Sequence, residues 1–204
     1  MYLKDVMSKN VISITRETTL KGAHHIMSFH GIRHLPVIDK GKVVGLLSEA
    51  DCRQIIDEIA SDPQAHRVWK TSASEFMTKD YISAPQDAFL RRVAVKLINN
   101  EKSAVLVFED DDLVGIATIK DMFNLIINIM EFDEPGVRIQ IKNAKKDLIN
   151  VFKILIDQKE EIKSFYYVPY TDGTKAAHIR LGETNTEEIK KLFKKEDVTI
   201  RIEE

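Results

Sequence analysis

The chain has 204 residues, a formal net charge of −2, 44% apolar and 30% charged residues. This is an ordinary globular composition, long enough for one large domain or two small ones. It lacks the basic excess of a general nucleic-acid binder and any apolar run of membrane-spanning length, so neither partner is expected. The one cysteine, Cys52, excludes an intrachain disulfide and fits a reducing cytoplasm. Met1 to Asp5 does not read as a signal peptide. The histidines, at 24, 25, 30, 34, 66 and 178, share no zinc-ligand spacing with a cysteine, so no metal is expected.

Taken in chain order, the elements repeat. An offset of 70 residues carries Met7 onto Met77, Gly45 onto Gly115, Ser48 onto Thr118 and Asp51 onto Asp121 without a gap. The unit reads from its periodicity. Val11-Ile12-Ser13-Ile14 predicts a β-branched strand. Thr18 or Thr19 caps a helix with Leu20, Ala23, His24 and Met27 on its apolar side, and Gly31 ends it. Its copy carries Leu90, Val93, Ala94 and Leu97. Leu35 to Ile38 is a second strand, residues 39–42 a hairpin turn, and Val43 to Leu47 a third strand. Pro36 suggests an edge or a strand start. The closing helix carries Cys52, Ile55, Ile56 and Ile59, copied as Met122, Leu125, Ile126 and Ile129.

The second copy of that helix has a further apolar side, Phe123, Ile127 and Met130. Burial within the chain and a dimer interface both stand open for it. Between the copies, Ser61-Asp62-Pro63 begins a polar connector. Ser72 with Glu75 resembles a capping box for a short helix through Phe76 and Met77. Trp69 reads as a hydrophobic plug.

After Met130 the pattern changes. Asp133-Glu134-Pro135-Gly136 marks a turn and a boundary. A strand over Val137–Ile141 follows, then a helix with Leu148, Val151, Phe152, Leu155 and Ile156 on its apolar side. Strands Phe165–Pro169 and Lys175–Leu181 meet through Thr171-Asp172-Gly173. Asn185 and Glu188 suggest another capping box, before a helix with Ile189, Leu192 and Phe193. Val198–Ile202 closes as a strand. The order βαββαβ is the split, ferredoxin-like arrangement.

The chemistry-bearing element is the twin Gly…Ser/Thr-x-x-Asp. An ionised Asp only accepts hydrogen bonds, so Asp51 and Asp121 suit the diol of a ribose. Ser48 and Thr118 stand at helix starts, beside backbone N–H groups that suit a phosphate or ribose oxygen. Arg53 and Lys120 are near enough to meet phosphate charge. Gly45 and Gly115 permit close approach of a neighbour or a ligand. The same Ser/Thr-x-x-Asp pattern is also that of a helix N-cap.

The stretch Gly31-Ile32-Arg33-His34-Leu35-Pro36-Val37-Ile38-Asp39, followed by Gly45 to Asp51, resembles the CBS domain. Asp5-Val6-Met7 and Glu75-Phe76-Met77 resemble that family's lead-in segments. Residues 1–60 and 75–132 are similar to a tandem pair, the Bateman module, joined by a connector at 61–74. The resemblance implies two clefts between the repeats that take AMP, ADP, ATP or a related adenosyl ligand, with no catalytic cofactor. Matching positions put ribose on Ser48 and Asp51, and on Thr118 and Asp121. They put the base near Val11, Ile12 and Ile32, Arg33, His34, Leu35, Pro36 in the first copy. In the second they give Tyr81, Ile82 and Ser103, Ala104, Val105. The copies are unequal: Arg33, His34 and Pro36 become Ser103, Ala104 and Leu106, Arg53 becomes Phe123, and Ala50 becomes Lys120.

Residues 135–204 resemble an ACT-type domain, and the whole layout is similar to AcuB-type proteins of acetoin utilisation. Amino-acid-binding ACT domains carry a glycine in the turn after their first strand. Here that turn is Lys142-Asn143-Ala144-Lys145, so dimerisation through the sheet is the expectation. The expected class is therefore α+β, with two strand-helix-strand-strand-helix repeats and a ferredoxin-like domain. The expected role is non-catalytic nucleotide sensing by a homodimer with an unknown protein target. Assembly alone is the alternative. No activated nucleophile, metal cluster or phosphate loop speaks for an enzyme.

Overall fold

The computed structural model describes residues 1–59, 65–130, 137–142, 148–171, 173, 175–195 and 200–203. The expected connector start at Ser61-Asp62-Pro63 and the boundary turn Asp133 to Gly136 lie outside them. So do Asn143-Ala144-Lys145, Asp172 and the Val198 end of the last strand. The chain divides into two units, Met1–Phe123 and Asn124–Glu204.

The first repeat consists of β1 (Ile14–Thr15), α1 (Leu20–His30), β2 (His34–Asp39), β3 (Lys42–Ser48) and α2 (Glu49–Ile59). A short helix, α3 (Ala65–Val68), follows. The second repeat consists of β4 (Ile82–Pro85), α4 (Leu90–Asn99), β5 (Ala104–Glu109), β6 (Asp112–Thr118) and α5 (Ile119–Met130). Each repeat builds a three-stranded sheet, β1-β2-β3 or β4-β5-β6, in which the first pair is parallel and the second antiparallel.

Local chemistry explains most boundaries. Thr19 caps α1 by accepting the Gly22 N–H at 3.1 Å, and Gly31 ends it at φ 63°. Leu20, Ala23 and Met27 enter a core with Leu35, Val37, Leu47 and Cys52. His24 stays half-buried, edge-on to the Trp69 ring at 5.6 Å, and Trp69 plugs the same core. In α4, Leu90, Val93 and Leu97 are buried.

Five expectations need correction. Val11, Ile12 and Ser13 are not strand, because β2 offers β1 a partner only from Val37 onward. Pro36 is not on an edge strand: β2 is the middle strand, and Pro36 precedes the β1 pairing, where its missing N–H costs no ladder bond. Ser72 caps a 3-10 turn, Ala73–Glu75, by accepting the Ser74 N–H rather than forming a box with Glu75. On α5 only Met122 is buried, while Ile126 and Ile129 are exposed along with Phe123 and Ile127. Ile156 of the next helix is likewise exposed.

The lead-in segments change places. Residues before repeat one attach to repeat two: the Leu3 N–H donates to Ala88 O and the Lys4 N–H to Gln86 O, both at 2.9 Å. Ser8 and Ile116 exchange two backbone bonds at 2.9 and 3.0 Å. Residues before repeat two attach to repeat one in the same way. The Ala73 N–H donates to Thr18 O at 2.8 Å, and Thr78 and Leu46 exchange two bonds at 2.9 Å. Ala73, Phe76 and Met77 therefore belong to the core of repeat one.

This exchange explains the repeated glycines. A Cβ on Gly45 would strike Met77 Sδ and stand 3.0 Å from Thr78 O. A Cβ on Gly115 would stand 2.6 Å from Met7 Sδ and 3.2 Å from Ser8 O. The neighbour they accommodate is the crossing segment. A smaller apolar cluster joins the two sheets, with Leu46 against Ala104 and Leu106.

The second unit begins within α5 and continues with β7 (Arg138–Lys142), α6 (Leu148–Asp157), β8 (Ile162–Pro169), β9 (Lys175–Leu181), α7 (Thr186–Lys195) and β10 (Ile200–Glu203). The sheet order is β10-β7-β9-β8, antiparallel throughout. That is the split βαββαβ arrangement the periodicity predicts. Ile139, Ile141, Ala177, Ile179 and Leu181 of the sheet pack with Val151 and Leu155 of α6 and Ile189 and Phe193 of α7. Asn185 caps α7 by accepting the Glu187 and Glu188 N–H groups at 3.1 and 3.3 Å. Gly173 turns the β8–β9 hairpin at φ 81°, its N–H donating to Tyr170 O at 3.1 Å.

Candidate functional site

Ser48 and Thr118 end their strands and start α2 and α5. Asp51 Oδ2 accepts the Ser48 N–H at 2.8 Å and the Ser48 hydroxyl at 2.6 Å, while Ser48 Oγ accepts the Asp51 N–H at 3.1 Å. Thr118 and Asp121 repeat this at 2.8, 2.6 and 3.3 Å. Both are reciprocal capping boxes, made with Asp in place of the commoner Glu. Two of the three bonds fall on one oxygen of each carboxylate, Oδ2, and both aspartates are half-buried.

The cations divide unequally between the two boxes. Glu49, the residue after Ser48, holds Arg53 at 3.1 Å and Arg33 at 3.4 Å, and both arginines stay largely exposed. The sequence reading passed over Glu49, although its spacing to Arg53 is the i,i+4 of a helical ion pair. Its counterpart in repeat two is the apolar Ile119, so no such clamp forms there. Lys120 is exposed at the start of α5.

The base-assigned residues fall into two groups. Leu35 and Val105 are fully buried, and Ala104 and Ile82 nearly so, which leaves their backbones for any ligand. Val11, Ile12, Ile32, His34 and Tyr81 are half-buried, Ser103 is exposed, and Pro36 is buried. The Tyr81 hydroxyl reaches across the repeats toward Val43 O at 3.4 Å. His34 Nε2 and Ser103 Oγ are hydrogen-bonded at 2.8 Å, again between repeats.

Burial lowers the His34 pKa from its ordinary 6.5. Arg33 acts in the same direction, against the opposing pull of Asp51, Asp121 and Glu49. His34 stands opposite Ser48 of the first box and bonds to Ser103 of the second repeat. Cys52 is wholly buried, and burial first, then Asp51 and Glu49, push its thiol up to about 11. It stays protonated at neutral pH and packs as a small apolar residue. Among the described residues no group of three His, Cys, Asp or Glu side chains is placed to hold a metal ion. Among them, too, no helix is long and apolar enough to cross a membrane.

Residues 3–58 and 73–128 each match the family profile of the CBS domain. These two spans make up more than half of the chain, which belongs to the CBS domain family and carries the domain twice. Among its relatives is the L-aspartate semialdehyde sulfurtransferase of Methanocaldococcus jannaschii, 32% identical over 125 residues. That match takes in 60% of this chain but 23% of the enzyme. The chain spans less than half the length of each of the first curated relatives it matches.

Two solved structures resemble the CBS part. An acetoin utilization protein (AcuB) of Vibrio cholerae is 29% identical with a TM-score of 0.55, over 66% of this chain and 98% of that one. The CBS domain pair of protein MJ0100, in complex with 5-methylthioadenosine and S-adenosyl-L-methionine, is 30% identical with a TM-score of 0.54. That likeness covers 63% of this chain and 97% of that one.

Proposed function

We propose that this protein is a non-catalytic regulator that binds an adenosyl ligand between its two CBS repeats and passes the bound state to a partner. AMP, ADP, ATP and S-adenosylmethionine are the candidate ligands. The reading rests chiefly on the twin capping boxes, each with an acceptor-only carboxylate of which the box bonds occupy one oxygen. A ribose diol needs such an acceptor. The adenosyl compounds in the MJ0100 CBS pair support the ligand class. On this reading ribose lies at Ser48/Asp51 and Thr118/Asp121, with phosphate, where present, near Arg53 or Lys120.

The C-terminal unit is proposed to be an ACT-type domain, on its βαββαβ order and sheet order. The exposed Phe123, Ile126, Ile127 and Ile129 on α5 support a homodimer. The likeness to AcuB suggests acetoin metabolism as the setting, with an unknown protein as target. The reduced, buried Cys52 suits the cytoplasm.

One observation favours a second reading, in which the CBS folds serve assembly alone. Each hydroxyl–Asp pair already satisfies itself as a helix cap, so its recurrence needs no ligand. Calorimetry with AMP, ADP, ATP, S-adenosylmethionine and 5-methylthioadenosine separates the two. Saturable binding of at least one is expected. No heat and no thermal shift with any of them at millimolar concentration would leave assembly as the function.

A further inference from the structure

The bond between His34 Nε2 and Ser103 Oγ, at 2.8 Å, joins the two repeats side chain to side chain. Duplication by itself would supply a twin. The counterpart of His34 is Ala104, which has no polar side-chain atom. The counterpart of Ser103 is Arg33, which Glu49 holds at 3.4 Å. The bond is therefore made once, and it breaks the symmetry of the pair.

Each end is tied to one capping box. His34 pairs with Ser48 in the β2–β3 ladder, and the neighbouring Arg33 carbonyl accepts the Glu49 N–H at 2.9 Å. The Ser103 carbonyl accepts the Ile119 N–H, the residue after Thr118, at 3.0 Å. Each latch residue thus lies beside one box: His34 stands opposite Ser48 in the ladder, and Ser103 is bonded to the residue that follows Thr118. The charges acting on His34 come from the same places: Asp51 and Glu49 of α2, Asp121 of α5, and Arg33 beside it.

We infer that the His34–Ser103 bond is an asymmetric latch that fastens the two repeats while their clefts are empty, and that a ligand entering one cleft opens it and so eases entry to the other. This rests on the adenosyl reading above. Both latch residues lie in the stretches assigned to the ligand, so the first ligand competes with the bond for the same polar groups. The second meets an open latch and binds more tightly, which is positive coupling between sites.

A double-mutant cycle on the ligand-free chain tests the fastening. His34→Ala, Ser103→Ala and the double variant are unfolded in urea. A neutral hydrogen bond predicts a coupling of about two- to tenfold in the unfolding constant. His34→Gln, which keeps a hydrogen-bonding group, should retain part of it. An additive cycle overturns the latch without reference to any ligand.

Calorimetry with S-adenosylmethionine and with AMP then tests the opening. The wild type should bind its second ligand more tightly than its first. Ser103→Ala, which has no latch to open, should lose the cooperativity between the two binding events. Superimposable isotherms would overturn the opening step. A coupled cycle in a wild type that binds neither compound would overturn the adenosyl reading and the opening with it, so the cycle tells the two failures apart.

Discussion

The two capping boxes have the same bonds and different company. Ser48–Asp51 and Thr118–Asp121 agree within 0.2 Å in all three hydrogen bonds. Around the first, Glu49 gathers Arg33 and Arg53. Around the second stand Ile119, the exposed Lys120 and the exposed Phe123. The cap is a local device, with partners three residues apart, and it survives duplication because backbone geometry demands it. The flanking side chains carry no such local demand and have diverged. A ligand that needs both box and flank will not find the two sites equal.

The largest expected effect concerns what the repeats share. Gly45→Val drives a side chain into Met77 and toward Thr78 O, where the lead-in segment crosses. Overpacking of this kind costs about 1–3 kcal/mol. At about 2–4 °C per kcal/mol for a chain of this size, the melting temperature should fall by several degrees. Gly115→Val, with slightly more room against Met7 and Ser8, should lose less. Equal and negligible losses would break the account of why both glycines recur.

Next come the boxes. Asp51→Ala and Asp121→Ala each remove one half of a reciprocal cap, for a loss of about 0.5–2 kcal/mol in thermal or urea unfolding. The stability losses should be similar, because the cap bonds are alike. The binding losses should differ, because the flanks are not. Identical changes in ligand affinity and stoichiometry would erase the distinction between the sites.

The smallest effect is a pH dependence confined to one repeat. His34 has a lowered pKa in the folded protein and its ordinary value near 6.5 when unfolded. In the window below about 6.5 the unfolded chain therefore binds more protons. Stability rises with pH through that window, levels off above it, and is lost as the pH falls. Unfolding of wild type and His34→Gln, measured across pH 5–8, should diverge on the acid side, with the variant less sensitive. Parallel curves would remove His34 from the asymmetry.

Much of this was legible in the sequence for a physical reason. The period of the apolar residues, the Thr19 and Asn185 caps and the glycine turns are local features, and they gave the elements of both units in order. The capping reading of Ser/Thr-x-x-Asp was legible for the same reason. The errors lie where partners are distant. Ile126, Ile129 and Ile156 read as core by period, yet period says which side of a helix is apolar, not what covers it. Pro36 read as an edge or a strand start, and lies in a middle strand, because a sequence does not show how far the neighbouring strand extends.

Taken alone, the sequence determined the duplication, the strand-helix-strand-strand-helix unit, the βαββαβ order and the two caps, since each depends on residues close together in the chain. Tertiary structure decided which repeat each lead-in segment joins, why Gly45 and Gly115 must be glycine, that Glu49 also holds Arg33, and that His34 meets Ser103. Those contacts join positions as many as 108 residues apart, as in the exchange between Ser8 and Ile116. Only the folded chain, with its loop entropy spent and its neighbours in place, selects them.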